Sequence, residues 1–209
     1  MTELGGDFFD LFELGDKKIG VMIADVSGHG IPAALVSFMM LTIFRNNINA
    51  GTSTKEVIRL VNETLKGKLP AGKYATMFYG IYDGKNQELT YTSAAHPPGL
   101  VIRSQTQEVI LLEESGMVVG MFLNKQVNYK EQTFKLIPGD KILLYTDGII
   151  EMTDERDQRL GSEGLEHFIK NHYDLSIDEL KDKLYEFCVM YSGEKGFKDD
   201  LTILGFEIF

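Results

Sequence analysis

The strongest constraint on the fold is a run of strand-like segments between Ala75 and Thr146 that contains no helical pattern. The segments are rich in β-branched and aromatic residues, and turn sequences such as Asp83-Gly84 and Pro138-Gly139-Asp140 separate them. Short connections without helices predict antiparallel pairing between the strands. The six predicted strands are Ala75–Tyr82, Glu88–Ala94, Gly99–Arg103, Glu108–Leu112, Tyr129–Leu136 and Lys141–Thr146.

Helical patterns lie on both sides of this run. Ser53 with Glu56 and Ser176 with Glu179 have the spacing of capping boxes, and Pro32 lies where a first helical turn is expected. Helices in two blocks around antiparallel strands predict an α+β protein, with two packed sheets and helices outside them. The predicted flanking elements are the strands Phe8–Leu14 and Lys18–Val26, the helices Ala33–Ile48 and Ser53–Gly67, the helices Ser162–His172 and Ser176–Tyr191, and the strand Leu201–Ile208.

Composition excludes several classes of protein. The 209 residues, 44% of them hydrophobic, are enough for one large domain with a substantial core. A net charge of -10 gives little electrostatic support to nucleic-acid binding. The single cysteine, Cys188, lies in an apolar helical pattern and allows no internal disulfide, which favours a packing role and a reducing compartment. No apolar run reaches the roughly 18 residues of a membrane span, so we expect a cytoplasmic protein.

Four short aspartate clusters stand out, and three of them adjoin strongly apolar runs. A carboxylate at the end of a buried strand needs a cation or several hydrogen-bond donors. Each cluster alone is equally well explained as a polar turn, but the four together favour the oxygen coordination of Mg²⁺ or Mn²⁺. Two packed sheets would allow the clusters to meet at one edge. The clusters are Gly5-Gly6-Asp7 with Asp10, Asp25-Val26-Ser27-Gly28-His29-Gly30, Thr146-Asp147-Gly148, and Asp199-Asp200.

Six motifs, in this order, resemble the SpoIIE-like bacterial phosphatases of the protein phosphatase 2C (PPM) superfamily, and they extend over nearly the whole chain. The resemblance implies a PPM-type αββα sandwich in which residues 1–209 form a single domain. It also implies that the N-terminal strand that normally precedes the Gly-Gly-Asp motif, and an upstream regulatory domain, are missing. The motifs are Gly5–Asp10, Ala24–Ala34, Ala75–Gly80, Ala94–Pro98, Tyr145–Glu151 and Asp199–Thr202.

The resemblance also implies a metal-dependent active site. Two Mn²⁺ or Mg²⁺ ions, roughly 3.5–4 Å apart in such sites, would lower the pKa of a water that attacks phosphorus in line. Asp25 would bridge both ions, and the Val26 carbonyl would bind one of them. Asp7, Asp147 and Asp199 would complete the ligand set. Asp25 and Asp147 are therefore the predicted catalytic residues.

Four further residues are secondary candidates by the same resemblance: Asp10, His29, Glu151 and Asp200. Asp10 is expected to be structural or to support a ligand, and Asp200 to be the weaker ligand of its pair. Glu151 could serve an additional metal together with Asp147. His29 is a weak candidate for a general acid, because its spacing from Asp25 differs from that of the eukaryotic relatives' histidine. No arginine is evident for binding the substrate phosphate.

The implied function is that of a serine/threonine phosphatase in bacterial signalling. Its substrate would be a phosphorylated STAS-type regulator, an anti-sigma-factor antagonist, and it would respond to an upstream sensor or receiver domain. A homodimer is compatible with this interpretation. Two alternatives stay open: a catalytically silent, phosphatase-like interaction module, and a diguanylate cyclase, whose Gly-Gly-Asp/Glu-Glu-Phe loop Gly5-Gly6-Asp7-Phe8-Phe9 resembles. The retained acids argue against the first, and the unexplained Asp147 and Asp199 against the second.

Overall fold

A computed structural model of the chain describes residues 4–49, 51–70, 72–113 and 116–209. All strand pairs within these residues are antiparallel, as predicted. None of the helices in this part of the chain combines the length and the apolar character that crossing a bilayer requires. The elements are β1 (Phe8–Gly15), β2 (Lys18–Val26), α1 (Ile31–Asn47), α2 (Thr54–Leu65), β3 (Ala75–Asp83), β4 (Glu88–Ala94), β5 (Gly99–Arg103), β6 (Glu108–Leu112), β7 (Gln132–Lys135), β8 (Asp140–Tyr145), α3 (Gly148–Glu151), α4 (Gly161–Lys170), α5 (Ile177–Ser192) and β9 (Ile203–Glu207).

The chain divides into two compact units. The first comprises Met1–His96 and Glu114–Leu136, and the second comprises Pro97–Glu113 and Ile137–Phe209. In the described residues the first unit has a sheet of order β1-β2-β3-β4-β7, and the second has a sheet of order β6-β5-β8-β9. The predicted α+β class with two antiparallel sheets is therefore confirmed.

The core of the first unit forms where α1 and α2 contact alternate residues of its sheet. Met22 on β2, Phe44 on α1 and Val61 on α2 are completely buried in this cluster. Alternation along a strand presents every second side chain to one face, which is why Met22 faces the helices. This packing holds the end of β2, and the loop that follows it, against the start of α1.

One predicted capping box in this unit is wrong. Ser53 is the N-cap residue of α2, but its side chain makes no capping hydrogen bond, and Glu56 pairs with Arg59 instead. The helix start is satisfied from a distant part of the chain, because the Glu131 carboxylate accepts hydrogen bonds from the Thr54 N–H (2.7 Å) and hydroxyl (2.8 Å). A partner so far away in sequence cannot be read from local spacing.

The second unit buries the apolar faces of α4 and α5 against its sheet. Ile102, Leu143 and Leu184 lie in this core. The predicted capping box of α5 is confirmed, with Ser176 and Glu179 each satisfying the other's backbone N–H. Cys188 is buried there, and burial raises the pKa of its thiol to about 11. This confirms that the cysteine packs in the core.

Two strands and one short helix differ from the prediction. The strand predicted over 129–136 is confined to β7, and the last strand begins at Ile203, two residues later than expected. Just before β9, the Thr202 N–H donates to a side chain, the Thr146 hydroxyl (3.0 Å). The short helix α3, directly after Asp147, was not predicted.

Candidate active site

The structure places the predicted site residues in two groups, one in each unit. The first, named here the Asp25 group, comprises Asp7, Asp10, Asp25, Val26 and His29. The second, the Asp147 group, comprises Asp147, Glu151, Asp199 and Asp200.

In the Asp25 group, strand pairing brings Asp7 and Asp25 to the same sheet end. Phe8 pairs with Ala24 in the β1–β2 register, so the acids that flank this pair lie at the same end of neighbouring strands. Gly6 is packed so closely that a β-carbon there would collide with the Val26 carbonyl oxygen and lie 3.2 Å from the Gly28 oxygen. Only glycine leaves this space, which explains the second glycine of the Gly-Gly-Asp sequence.

Hydrogen bonds fix the backbone around this loop. The Gly6 carbonyl accepts from the Ser37 hydroxyl of α1 (2.6 Å), and the Gly30 N–H donates to the Leu4 carbonyl (3.0 Å). The segment before β1 is thereby fastened to the loop between β2 and α1. His29, in the middle of that loop, is exposed. The arrangement leaves the imidazole accessible to a substrate.

Asp10 is engaged by a cation of its own unit. Its carboxylate forms an ion pair with the Arg45 guanidinium of α1, which also lies 4.9 Å from the centre of the Phe12 ring. A carboxylate held in this way is neutralised within the unit. The pairing supports the expectation that Asp10 has a structural role.

On the other side of β2, Asp25 lies opposite Thr76 of β3 in the strand register. The Thr76 hydroxyl is 2.8 Å from Nδ1 of His96, which is buried. Ala95 reaches this position with φ of 55°, in the left-handed region that residues other than glycine rarely adopt. A strained turn thus holds His96 against Thr76, the residue that pairs with Asp25 across the two strands.

The Asp147 group forms where two chain segments meet backbone to backbone. The Thr146 N–H donates to the Thr202 carbonyl (3.2 Å), and a β-carbon at Gly148 would collide with the Asp200 carbonyl oxygen. Asp147 follows β8 after one residue, Thr146, and is the N-cap residue of α3. The close approach, with the hydrogen bond from the Thr202 N–H to the Thr146 hydroxyl, holds Asp147 and the Asp199-Asp200 pair together in one unit.

The electrostatics of this group are unfavourable in the absence of a cation. Asp147 is half-buried; burial raises its pKa, and the negative charges of Glu151 and Asp199 raise it further. Asp199 accepts a hydrogen bond from the Asp200 N–H (2.9 Å), and the exposed Glu151 pairs with Arg159 (3.2 Å). Loss of solvent and like charges both disfavour an ionised carboxylate, and a bound cation would reverse this effect.

The donor set fits a hard divalent cation. Carboxylate and carbonyl oxygens are the ligands that Mg²⁺ and Mn²⁺ prefer, and the negative charges of Glu151 and Asp199 act on Asp147. In the described parts of the chain, no group of three or more His, Cys, Asp or Glu side chains has the spacing of a metal site. The complete ligand set therefore stays a prediction.

Two cations near the Asp25 group were missed by sequence reasoning. Arg45 is far from Asp10 in sequence, and no local spacing points to their contact. Lys73 could have been found from strand pairing, because it lies just before β3 and opposite the loop that follows β2. Its ammonium lies against Gly28.

Comparison with known proteins places this geometry in context. The sequence matches the family described as Stage II sporulation protein E (SpoIIE) over residues 15–209. It is 29% identical over 202 residues to the phosphoserine phosphatase RsbU of Bacillus subtilis (strain 168), covering 97% of this chain. The chain spans 59% of the length of that relative.

Solved structures with a similar fold include two with lower sequence identity. The SiaA-PP2C domain of Pseudomonas aeruginosa superposes with a TM-score of 0.88 at 22% identity, covering 99% of this chain and 82% of that one. RsbX in complex with magnesium has a TM-score of 0.70 at 24% identity, covering 97% of this chain and 87% of that one. These similarities confirm the predicted PPM-type fold class.

Proposed function

The chain belongs to the SpoIIE family, and we propose that it is a metal-dependent phosphatase that hydrolyses phosphoserine or phosphothreonine in a protein. The observation that carries the proposal is the crowding of carboxylates at Asp147, whose pKa is raised by burial and by the charges of Glu151 and Asp199. Acids that destabilise one another in the metal-free protein are expected where a divalent cation binds. The similarity to a phosphoserine phosphatase supports the reaction class.

We assign the ligands of two Mn²⁺ or Mg²⁺ ions to Asp7, Asp25, the Val26 carbonyl, Asp147 and Asp199. When bound, such ions supply a water of lowered pKa as the nucleophile for in-line attack on phosphorus. The chain's own contribution is positioning. Strand pairing aligns Asp7 with Asp25, and Gly6 leaves room beside the Val26 carbonyl. The contact between Gly148 and Asp200 fixes the second set of acids.

The secondary candidates have smaller proposed roles. Asp10 supports the site through its ion pair with Arg45, and it is not a ligand. Glu151 could bind an additional, weaker ion together with Asp147. Asp200 contributes chiefly its backbone, which contacts Gly148. His29 is exposed and could donate a proton to the leaving group, with less effect on turnover than the ligands.

The biological setting is proposed from the family resemblance. The substrate would be a phosphorylated STAS-type regulatory protein, and the activity would respond to an upstream sensor or receiver domain. Residues 1–209 would act as a single phosphatase domain in the cytoplasm, and a homodimer is compatible with this role. No role in nucleic-acid binding is proposed, because the net charge is -10.

The test is hydrolysis of a phosphoserine peptide by the purified chain with Mn²⁺ or Mg²⁺. Turnover should require the ion, stop with excess chelator, and resist thiol-modifying reagents, because the pKa of the Cys188 thiol is raised to about 11. Metal binding without hydrolysis would favour the silent interaction module. Full turnover in excess chelator would exclude the metal-dependent mechanism.

A further inference from the structure

The register between β2 and β3 brings a lysine to the loop that follows Asp25. The last pair in this register is Val26 with Ala75, and the pattern continues one step further because the Ser27 N–H donates to the Tyr74 carbonyl (3.0 Å). The next residues along the two segments are Gly28 and Lys73. A β-carbon at Gly28 would collide with the Lys73 Nζ, so the glycine leaves the space that the ammonium occupies.

The Lys73 ammonium lies beside a cavity of about 190 Å³ whose walls are mostly apolar, including Val26, Pro32, Val36 and Pro70. Among the described residues that line this cavity, Lys73 is the sole permanently charged side chain and none is acidic. No ion pair joins Lys73 to a carboxylate in the described parts of the chain, whereas seven other lysines form such pairs.

An unpaired ammonium next to apolar walls is a favourable site for an anion. Charges interact more strongly where water is partly excluded, and a lysine binds phosphate as a compact point charge. A phosphate monoester of serine or threonine carries between about 1.5 and 2 negative charges at neutral pH. The sequence motifs include no arginine for this group, and Arg45, the other cation found near the Asp25 group, is already paired with Asp10.

We infer that Lys73 binds the phosphoryl oxygens of the substrate phosphoserine or phosphothreonine. This inference rests on the proposed function, because it is that function which brings a phosphate to the loop containing Asp25 and Val26. Lys73 contacts the substrate and is not a metal ligand. Its removal should therefore weaken phosphate binding and leave metal affinity unchanged.

The experiment compares four forms of the 209-residue chain. Lys73→Met removes the charge and keeps the length of the side chain, Lys73→Arg keeps the charge, and Lys68→Met is the control. Lys68 is exposed on the same connection between α2 and β3 and is absent from the residues that line the cavity. Calorimetry measures Mn²⁺ affinity first and then the affinity for inorganic phosphate with Mn²⁺ present. KM and kcat for a phosphoserine peptide follow, with thermal unfolding as the test of folding.

Lys73→Met should weaken phosphate binding and raise KM by about 10- to 100-fold, the loss expected for a charge-assisted hydrogen bond. Mn²⁺ affinity should stay within about twofold of the wild type, which is about 0.4 kcal/mol, because Lys73 is not a metal ligand. Lys73→Arg should keep most of the phosphate affinity, and Lys68→Met should match the wild type. If Lys73→Met fails to fold, Lys73→Gln is measured in its place with the same expectations.

The outcomes separate this inference from the proposed function. Unchanged phosphate affinity in Lys73→Met, with an active wild type, overturns the inference alone. A change in Mn²⁺ affinity as large as the change in phosphate affinity also overturns it, since the lysine would then act on the metal ligands. Absence of phosphate binding by the wild type has the same consequence. Phosphate binding that depends on Lys73 in a protein that hydrolyses nothing supports the inference and refutes the proposed function.

Discussion

The Asp25 group and the Asp147 group surround their acids in different ways. In the Asp25 group positive side chains are close by: Arg45 pairs with Asp10, and the Lys73 ammonium lies against Gly28. In the Asp147 group the nearest influences on Asp147 are other acids, Glu151 and Asp199, together with loss of solvent. In the first group an acid, Asp10, is paired with a cation of the protein. In the second group Arg159 pairs with Glu151, but no ion pair in the described parts of the chain joins Asp147 to a cation.

This difference indicates that the two groups of acids contribute differently to the stability of the metal-free protein. Asp10 is compensated by its ion pair with Arg45, and backbone pairing sets Asp7 and Asp25 at the same end of neighbouring strands. Acids crowded together store repulsion that metal binding releases, so they contribute more to the coupling between metal and stability. Mutations in the two groups should therefore affect turnover alike and metal-free stability differently.

The largest expected effect is on turnover, and it should be shared by both groups. Asp25→Asn and Asp147→Asn should each reduce Mn²⁺-dependent hydrolysis of a phosphoserine peptide by about 10²-fold or more, because each removes a charged ligand. His29→Ala should do less. Asp182→Asn, an exposed substitution on α5, is the matched control and should leave the rate unchanged. A large loss in His29→Ala with a normal rate in Asp25→Asn would reverse the assigned roles.

The second effect tests whether close backbone contact holds each group in place. Gly6→Ala and Gly148→Ala both force a methyl group onto a carbonyl oxygen, of Val26 and of Asp200 respectively. Each should lower the free energy of unfolding by about 1–3 kcal/mol, as overpacking does, and weaken Mn²⁺ binding. Gly51→Ala is the control, because the nearest atom to its added carbon is 3.6 Å away. Normal stability in Gly148→Ala would show that the two segments can separate at no cost.

The third effect separates the groups by pH. The folded metal-free protein holds the proton of Asp147 more tightly than the unfolded chain does, because the pKa is raised from 3.8. The folded state therefore binds more protons over the interval between the two pKa values, and stability from this group falls as pH rises through that interval. The difference in unfolding free energy between wild type and Asp147→Asn, measured with chelator across this range, should show that fall.

Asp157→Asn gives a control of opposite sign for the pH experiment. Lys195 holds the pKa of the Asp157 carboxyl below its ordinary value, so the stability from that pair is lost as pH falls through the lowered pKa.

Adding Mn²⁺ at neutral pH should stabilise the wild type more than Asp147→Asn. If Asp147→Asn shows the same pH dependence as the wild type, the repulsion around Asp147 does not contribute to stability.

Much of the fold was predictable because its signals are local. Segments rich in β-branched and aromatic residues, separated by turn sequences, identified the strands, and Ser176 with Glu179 correctly marked the start of α5. Ser53 with Glu56 has the same spacing, yet Glu131 from a distant segment replaces it at the start of α2. Local spacing shows that a capping partner is available. It does not show whether tertiary structure brings a different hydrogen-bond acceptor to the helix start.

The site was predictable to the extent that it consists of motifs. The acids adjoining β2 and β8 were identified from sequence, whereas the cations near them were not. Arg45 and Lys73 reach the Asp25 group through helix packing and strand register, respectively. No local spacing indicates the Arg45 contact, and the Lys73 contact can be inferred only once the β2–β3 register is known.

The smallest expected effect concerns the turn that supports the Asp25 group. Ala95 has φ of 55°, where an L-residue with a β-carbon is strained by about 1–2 kcal/mol. Ala95→Gly removes that strain but makes the unfolded chain more flexible, so the net gain in the free energy of unfolding should be about 0.5–1 kcal/mol. Ala94→Gly, on the neighbouring residue of β4, is the control and should lose stability, because that residue is buried in a strand.

The turnover of Ala95→Gly shows whether the strained turn contributes to activity. An unchanged rate would mean that the hydrogen bond between Thr76 and His96 is enough to support the strand beside Asp25. A lower rate in a more stable protein would mean that the strained turn itself sets the position of Thr76, and that the Asp25 group, like the Asp147 group, gives up stability to hold its acids in place.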